Sequence, residues 1–141
     1  MKIAIGCDHG GIAAKNAIID FMSKNGIEYI NLGTDTTDSV DYPVYAKAVA
    51  AKVQSGECKY GVLCCTTGVG MAIVANKQKG IRSANISDKI SAEMCRKHND
   101  TNVICFGSGL LKSEDIVDYF NIFINTEFEG GRHKKRVDMF E

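Results

Sequence analysis

A chain of 141 residues, 45% of them apolar and 24% charged, fits one domain with a sizeable core and shows no disordered or fibrous bias. Seventeen basic and seventeen acidic residues cancel, which excludes a global field drawing the protein to nucleic acid or an anionic membrane. The start turns polar at Cys7-Asp8-His9 before a signal core develops, no later run reaches bilayer length, and six scattered cysteines lack C-x-x-C pairing; free thiols in the cytoplasm are expected.

Five short β-rich runs alternate with amphipathic segments of helical length, the pattern of a parallel sheet covered on both faces. A strand is predicted at Lys2–Gly6, followed by a helix with Ile12, Ile18, Ile19 and Met22 inward and Gly26 beyond its end. The second strand is Glu28–Leu32. Tyr42-Pro43 opens the next helix, with Tyr45, Ala48, Val49 and Val53 facing inward until Ser55-Gly56 stops it. A third strand, Gly61–Cys65, leads into a small-residue helix over Gly68–Lys77. The fourth strand, Ile81–Ile86, precedes a polar helix over Asp88–His98 opened by Ser87. The fifth, Asn102–Phe106, precedes a helix over Glu114–Asn125 that is capped by Ser113 and buries Ile116, Tyr119, Phe120 and Phe123. After Gly130-Gly131 comes a basic tail, Arg132 to Arg136, then apolar Val137, Met139 and Phe140. The expected fold is α/β: a Rossmann-like three-layer αβα sandwich with a five-stranded parallel sheet, one domain over residues 1–141.

Open parallel sheets bind ligands beyond the carboxyl ends of their strands, which directs attention to the tips after strands one, three and five. The first tip, Gly6-Cys7-Asp8-His9-Gly10-Gly11, puts a carboxylate and an imidazole in one turn; Asp8 as a helix cap and His9 as a solvated side chain is the structural alternative. The third tip reads Cys64-Cys65-Thr66-Thr67-Gly68-Val69-Gly70-Met71. Alternation sends one cysteine to the core and the other away, and Cys65 at the strand end is the better placed to meet a ligand. A helix amino terminus favours a thiolate there, and its N–H groups can hold an oxyanion. Cys58, Cys95 and Cys105 are read as small buried hydrophobes.

Gly68-Val69-Gly70 lacks the third glycine and acidic partner of a dinucleotide fingerprint, and Lys77 stands too far from Gly70 for a phosphate loop. Near the fifth tip, Arg96-Lys97-His98-Asn99-Asp100 closes a helix, where His98 is either a functional imidazole or a cation favoured by the helix end. Arg132, His133 and Arg136 suit a phosphate or a solvated surface. The three histidines and the adjacent cysteines lack zinc spacing.

Gly6-Cys7-Asp8-His9, Asp41-Tyr42-Pro43, Cys65-x-Thr67-Gly68-x-Gly70, Asn76-Lys77, Gly80-Ile81-Arg82, His98-Asn99-Asp100-x-Asn102-Val103 and Glu127-x-Glu129-Gly130-Gly131-Arg132-His133 together resemble the ribose-5-phosphate isomerase B family nearly end to end. The related galactose-6-phosphate isomerase subunits share that fold. The resemblance implies an aldose-ketose isomerase that interconverts ribose 5-phosphate and ribulose 5-phosphate through a cis-enediolate, without metal or other cofactor. It implies Cys65 as the base, Thr67 as a hydroxyl-proton relay, and the Thr66, Gly68 and Gly70 amides at the enediolate oxygen. His98, supported by Asp8, would open the furanose ring. Asn99 and Tyr42 would contact hydroxyls, and His9, Arg132 and Arg136 the phosphate. It also implies a homodimer or tetramer with sites assembled from two subunits.

Two departures stand out. Thr66 replaces the usual glycine after the base, which predicts a narrower or more polar pocket. Phe106-Gly107-Ser108-Gly109 lacks the arginine many members carry after strand five. A six-carbon sugar phosphate, a rare free aldose, or a non-catalytic sugar-phosphate-binding subunit therefore stays open as an alternative.

Overall fold

Both faces of the strand alternation are apolar in this chain, so the sheet must be covered twice. The computed structural model describes residues 1–141 and resolves that demand as β1 (Lys2–Cys7), α1 (Ile12–Lys24), β2 (Glu28–Asn31), α2 (Tyr42–Gln54), β3 (Tyr60–Cys65), α3 (Val69–Asn76), β4 (Ser83–Asn85), α4 (Lys89–Asn99), β5 (Val103–Gly107), α5 (Ser113–Ile124) and α6 (Arg132–Val137). The strands lie in the order β2-β1-β3-β5-β4, and every pairing is parallel. This is the α/β three-layer sandwich expected from the sequence.

Ile3, Ile5 and Cys7 of β1, Tyr60, Val62 and Cys64 of β3, and Ile104 and Phe106 of β5 face one layer, packed against Ile18 and Met22 of α1 and Phe120 and Phe123 of α5. Ala4, Leu63, Cys65, Val103 and Cys105 face the other, against Ala46, Val49 and Ala50 of α2 and Met71 and Ala75 of α3. The α2 stripe is rotated from the predicted one: Val49 is buried with Ala46 and Ala50, while Tyr45, Ala48 and Val53 are only partly covered. Small residues win because α2 lies close on β1 and β3, near enough for Val49 to crowd any side chain added at Gly6 or Gly61. No helix is long and apolar enough to cross a membrane.

The edges depart most from expectation. β4 is shorter than Ile81–Ile86 because it pairs only with β5, and Ile81 and Ile86 serve as buried anchors on either side of it. Asp88, not Ser87, caps α4, its carboxylate accepting the Ser91 N–H at 2.7 Å. Ser113 lies inside the first turn of α5, with Lys112 before it. The basic tail is not merely solvated: it forms α6, which buries His133 and Val137.

Four buried thiols give the fold an alkaline limit. Burial pushes Cys7 and Cys95 up to about 11 and Cys105 to about 12, and raises Cys64 well above the ordinary thiol range. The unfolded chain releases these protons at lower pH than the folded one, so stability is complete below the ordinary thiol range and falls as pH rises toward 11 to 12. Thermal melts are expected to show a midpoint that declines steadily above about pH 9, with Cys105→Ala and Cys7→Ala each flattening the decline.

Candidate active site

The connections from β1 and β3 leave the sheet in opposite directions, so the carboxyl ends of these neighbouring strands flank a crevice. Cys65 ends β3 there. Its neighbour Cys64 is wholly enclosed at 0% exposure, whereas Cys65 keeps 6%. The expectation that one thiol faces core and the other faces away fails because helices cover both faces; position along the strand, not the face, distinguishes the two. Beyond Cys65 the chain emerges at once, with Thr66 and Thr67 exposed.

The loop is shaped around the sulfur. Gly68 N–H donates to Cys65 Sγ at 3.0 Å, a bond that a sulfur anion accepts more strongly than a thiol. Gly68 takes φ +79°, the left-handed region where side chains are strained, and a Cβ there would collide with Asn85 Oδ1. Val69 N–H reaches Thr67 Oγ1 at 3.3 Å, and α3 begins at Val69, so the following amides of its first turn have no carbonyl one turn earlier to meet. Asn85, at the end of β4, donates from Nδ2 to the Thr67 carbonyl at 3.1 Å and so straps the loop from outside. Sequence reasoning passed over Asn85; only the β4–β5–β3 order brings it here.

The other residues of this edge come from β1 and α2. Asp8, 8% exposed, accepts the Gly10 N–H at 2.8 Å and donates its own N–H to the Cys64 carbonyl at 3.2 Å, which fixes the first tip against the third. His9 is exposed, with Nδ1 accepting the Val40 N–H at 3.2 Å. The Tyr42 ring lies over the first turn of α3, close enough that a Cβ on Gly70 would sit 2.9 Å from it. Cys65, Thr66, Thr67, Gly68, Gly70, Asp8, His9 and Tyr42 thus share one edge of the sheet.

His98, Asn99, Arg132 and Arg136 do not join them within one chain. Helices of a parallel sheet run against their strands, so α4 ends beside the start of β5, whereas Cys65 lies beside its end. The five residues of β5 separate these levels by ~16 Å. The segment placed by sequence near the fifth tip therefore belongs to the opposite, amino-terminal edge, and Asp8 and His98 of one chain stand apart. There α6 packs on α4, with the His98 and His133 rings stacked 4.2 Å apart and Asn99, Arg132 and Arg136 exposed.

Thr66 is wedged between two glycine-bearing tips. A Cβ at Gly10 would collide with Thr66 Oγ1, and one at Gly109 would lie 2.9 Å from Thr66 Cγ2. Gly109 N–H also donates to the Thr66 carbonyl at 2.9 Å. The two departures from the family pattern are thus neighbours in space. Gly109→Arg is expected to lower the melting temperature by several degrees, and Thr66→Gly in the same chain to recover part of that loss; additive effects of the two changes would contradict the coupling.

A profile described as Ribose/Galactose Isomerase matches residues 3–140. Ribose-5-phosphate isomerase B of Escherichia coli is 46% identical over 140 residues, covering 97% of this chain and 92% of that protein. Among solved structures, ribose-5-phosphate isomerase B of Clostridium thermocellum superposes with a TM-score of 0.97 at 44% identity, over 99% of this chain and 94% of that one. The Mycoplasma genitalium enzyme with bound ribulose-5-phosphate gives 0.93 at 34% identity, over 98% and 92%. A profile match over nearly every residue and relatives alike from end to end leave one assignment: this chain belongs to the ribose/galactose isomerase family.

Proposed function

We propose that this chain is an aldose-ketose isomerase that interconverts ribose 5-phosphate and ribulose 5-phosphate, with Cys65 as the base. The observation that carries the mechanism is the sulfur at the carboxyl end of β3, accepting an N–H from the loop that opens α3.

The Cys65 thiolate takes the C2 proton of the open-chain aldose, and the electron pair left behind moves through C1 to the carbonyl oxygen, giving a cis-enediolate. N–H groups between Thr66 and Gly70 stabilise the negative oxygen, and Thr67 relays the proton from the C2 hydroxyl to it. The proton on Cys65 exchanges with solvent while the enediolate is held, and Cys65 then protonates C1, completing the ketose. Nothing is oxidised or reduced overall, so proton transfer and an oxyanion site suffice.

The remaining roles require a second copy of the chain. His98 opens the furanose ring with support from an Asp8 on the other subunit, Asn99 and Tyr42 hold hydroxyls, and His9, Arg132 and Arg136 bind the phosphate by charge-assisted bonds. Tyr42, Val44, Val69 and Ile73 expose apolar side chains around the start of α2 and the outer face of α3, a patch suited to a like chain. The working unit is thus a homodimer or a tetramer of single isomerase domains, residues 1–141 each. Six cysteines without a disulfide suit a reducing compartment, and the cytoplasm is the inferred location.

Thr66 beside Gly109, in place of a cation, supports a second reading, in which a six-carbon sugar phosphate or a free aldose is preferred. A panel of five- and six-carbon aldoses, each with and without phosphate, separates the two. Highest kcat/KM on ribose 5-phosphate is expected; a higher value on another sugar would reassign the substrate, and binding without turnover of any would make the chain a binding subunit.

A further inference from the structure

The amino-terminal edge holds a cluster that the isomerase chemistry does not use up. His98 lies in the last turn of α4, His133 in the first turn of α6, and Glu129 on the connection between α5 and α6, its N–H donating to the Lys97 carbonyl at 3.1 Å. One metal-ligating atom from each of the three falls within 4.8 Å of the others. The backbone bond to Lys97 and the packing of α6 on α4 hold the three carriers together, although Glu129 lies 31 positions after His98 in the chain.

His133 is the independent sign of a ligand. Its residue is 5% exposed, and Nε2 is buried with no hydrogen-bond partner. The nearest carboxylate oxygen, Glu129 Oε2, stands 3.5 Å away without hydrogen-bond alignment. Native folds leave few such atoms, because a buried polar group without a partner forfeits the hydrogen bonds it makes to water. A cation bound through Nε2 would satisfy the buried atom that no hydrogen bond meets. Two imidazoles and one carboxylate are a donor set for a borderline divalent cation, zinc above all.

We propose that His98, Glu129 and His133 form a zinc-class divalent-cation site whose occupation switches the isomerase off. Metal–nitrogen and metal–oxygen bonds near 2.0–2.2 Å put neighbouring donors of a tetrahedral ion roughly 3.4 Å apart. The cluster closes to that spacing when Glu129, half exposed and bound to nothing else through its carboxylate, swings inward and the stacked rings tilt until their lone pairs converge. Solvent supplies the fourth ligand on the open side of His98. The switch rests on the ring-opening role given to His98 above: a lone pair given to the metal cannot carry a proton to or from the furanose oxygen.

Zinc also seeks thiolates, so the binding test uses the Cys65→Ala protein, stripped with chelator and titrated with zinc chloride by calorimetry. One zinc per chain is expected, weakened at least about tenfold by Glu129→Gln and by His133→Gln. Cobalt chloride should give a spectrum without sulfur-to-metal charge transfer. Glu129→Gln changes an exposed side chain, so it keeps the fold even where His133→Gln fails to. No stoichiometric binding, a sulfur-ligated spectrum, or affinity unchanged in Glu129→Gln would overturn the site. The activity test compares wild type with Glu129→Gln: zinc should inhibit the former at concentrations at least about tenfold lower. Binding as expected with turnover unimpaired leaves the cation site standing and overturns both the switch and the role of His98.

Discussion

Cys65→Ala is expected to lower kcat for ribose 5-phosphate isomerisation by at least about 10² to 10⁴-fold, with KM changed little. In the proposed mechanism the thiol contributes at the transition state, where the C2 proton is in flight, and the phosphate at the opposite end of the sugar supplies most of the binding. A KM effect would instead mark Cys65 as a binding group. Loss of packing does not account for a decrease of this size. Cys65 is the last residue of β3 and borders the exposed Thr66, so removing its sulfur costs roughly 1 kcal/mol of stability, too little to unfold the chain. Cys65→Ser, which nearly preserves volume, should be impaired by a similar factor; a serine variant close to wild type would move the base elsewhere. The neighbouring Cys64 supplies the control, since Cys64→Ala should lose stability through a cavity in the α1 and α5 layer and keep its chemistry in whatever fraction stays folded.

A second large effect is expected from complementation between chains. Cys65→Ala and His98→Gln proteins should each be nearly inactive, yet a mixture unfolded and refolded together should regain about a quarter of the wild-type rate. Half of the dimers formed from equal amounts carry one chain of each kind. In these one site holds both defects, while the other holds an intact thiol from one chain and an intact imidazole from its partner. Placement of His98 at the start of β5 and Cys65 at the end of β3 is the structural ground for this expectation. A mixture no more active than its components would mean that each chain completes its own site.

Much of the fold is legible in the residues because alternation and helical spacing report burial directly. Ile3, Ile5, Val62, Ile104 and the Ile116–Phe120–Phe123 stripe are core for the reason the pattern suggests, that apolar surface leaves water. What the pattern misses is contact between distant segments. Charge dominates the run from Arg132 to Arg136, so its composition suits a phosphate or a solvated surface alike and hides that α6 packs on α4 and buries His133 and Val137, four residues apart. Asn85 carries no motif, and its bond to Thr67 exists only because β4 and β3 both flank β5. Thr66 and Gly109 each look like an isolated departure in the sequence. In space they compensate, one adding the side chain that the other leaves room for.

The most direct test follows the proton itself. Ribose 5-phosphate incubated with the wild-type protein in deuterated water, and examined by proton and carbon magnetic resonance, should acquire solvent deuterium at C2 of the aldose and C1 of the ketose, with exchange lost in Cys65→Ala. Turnover without any solvent deuterium in either sugar, or exchange undiminished in the alanine protein, would contradict a cysteine base working through an enediolate.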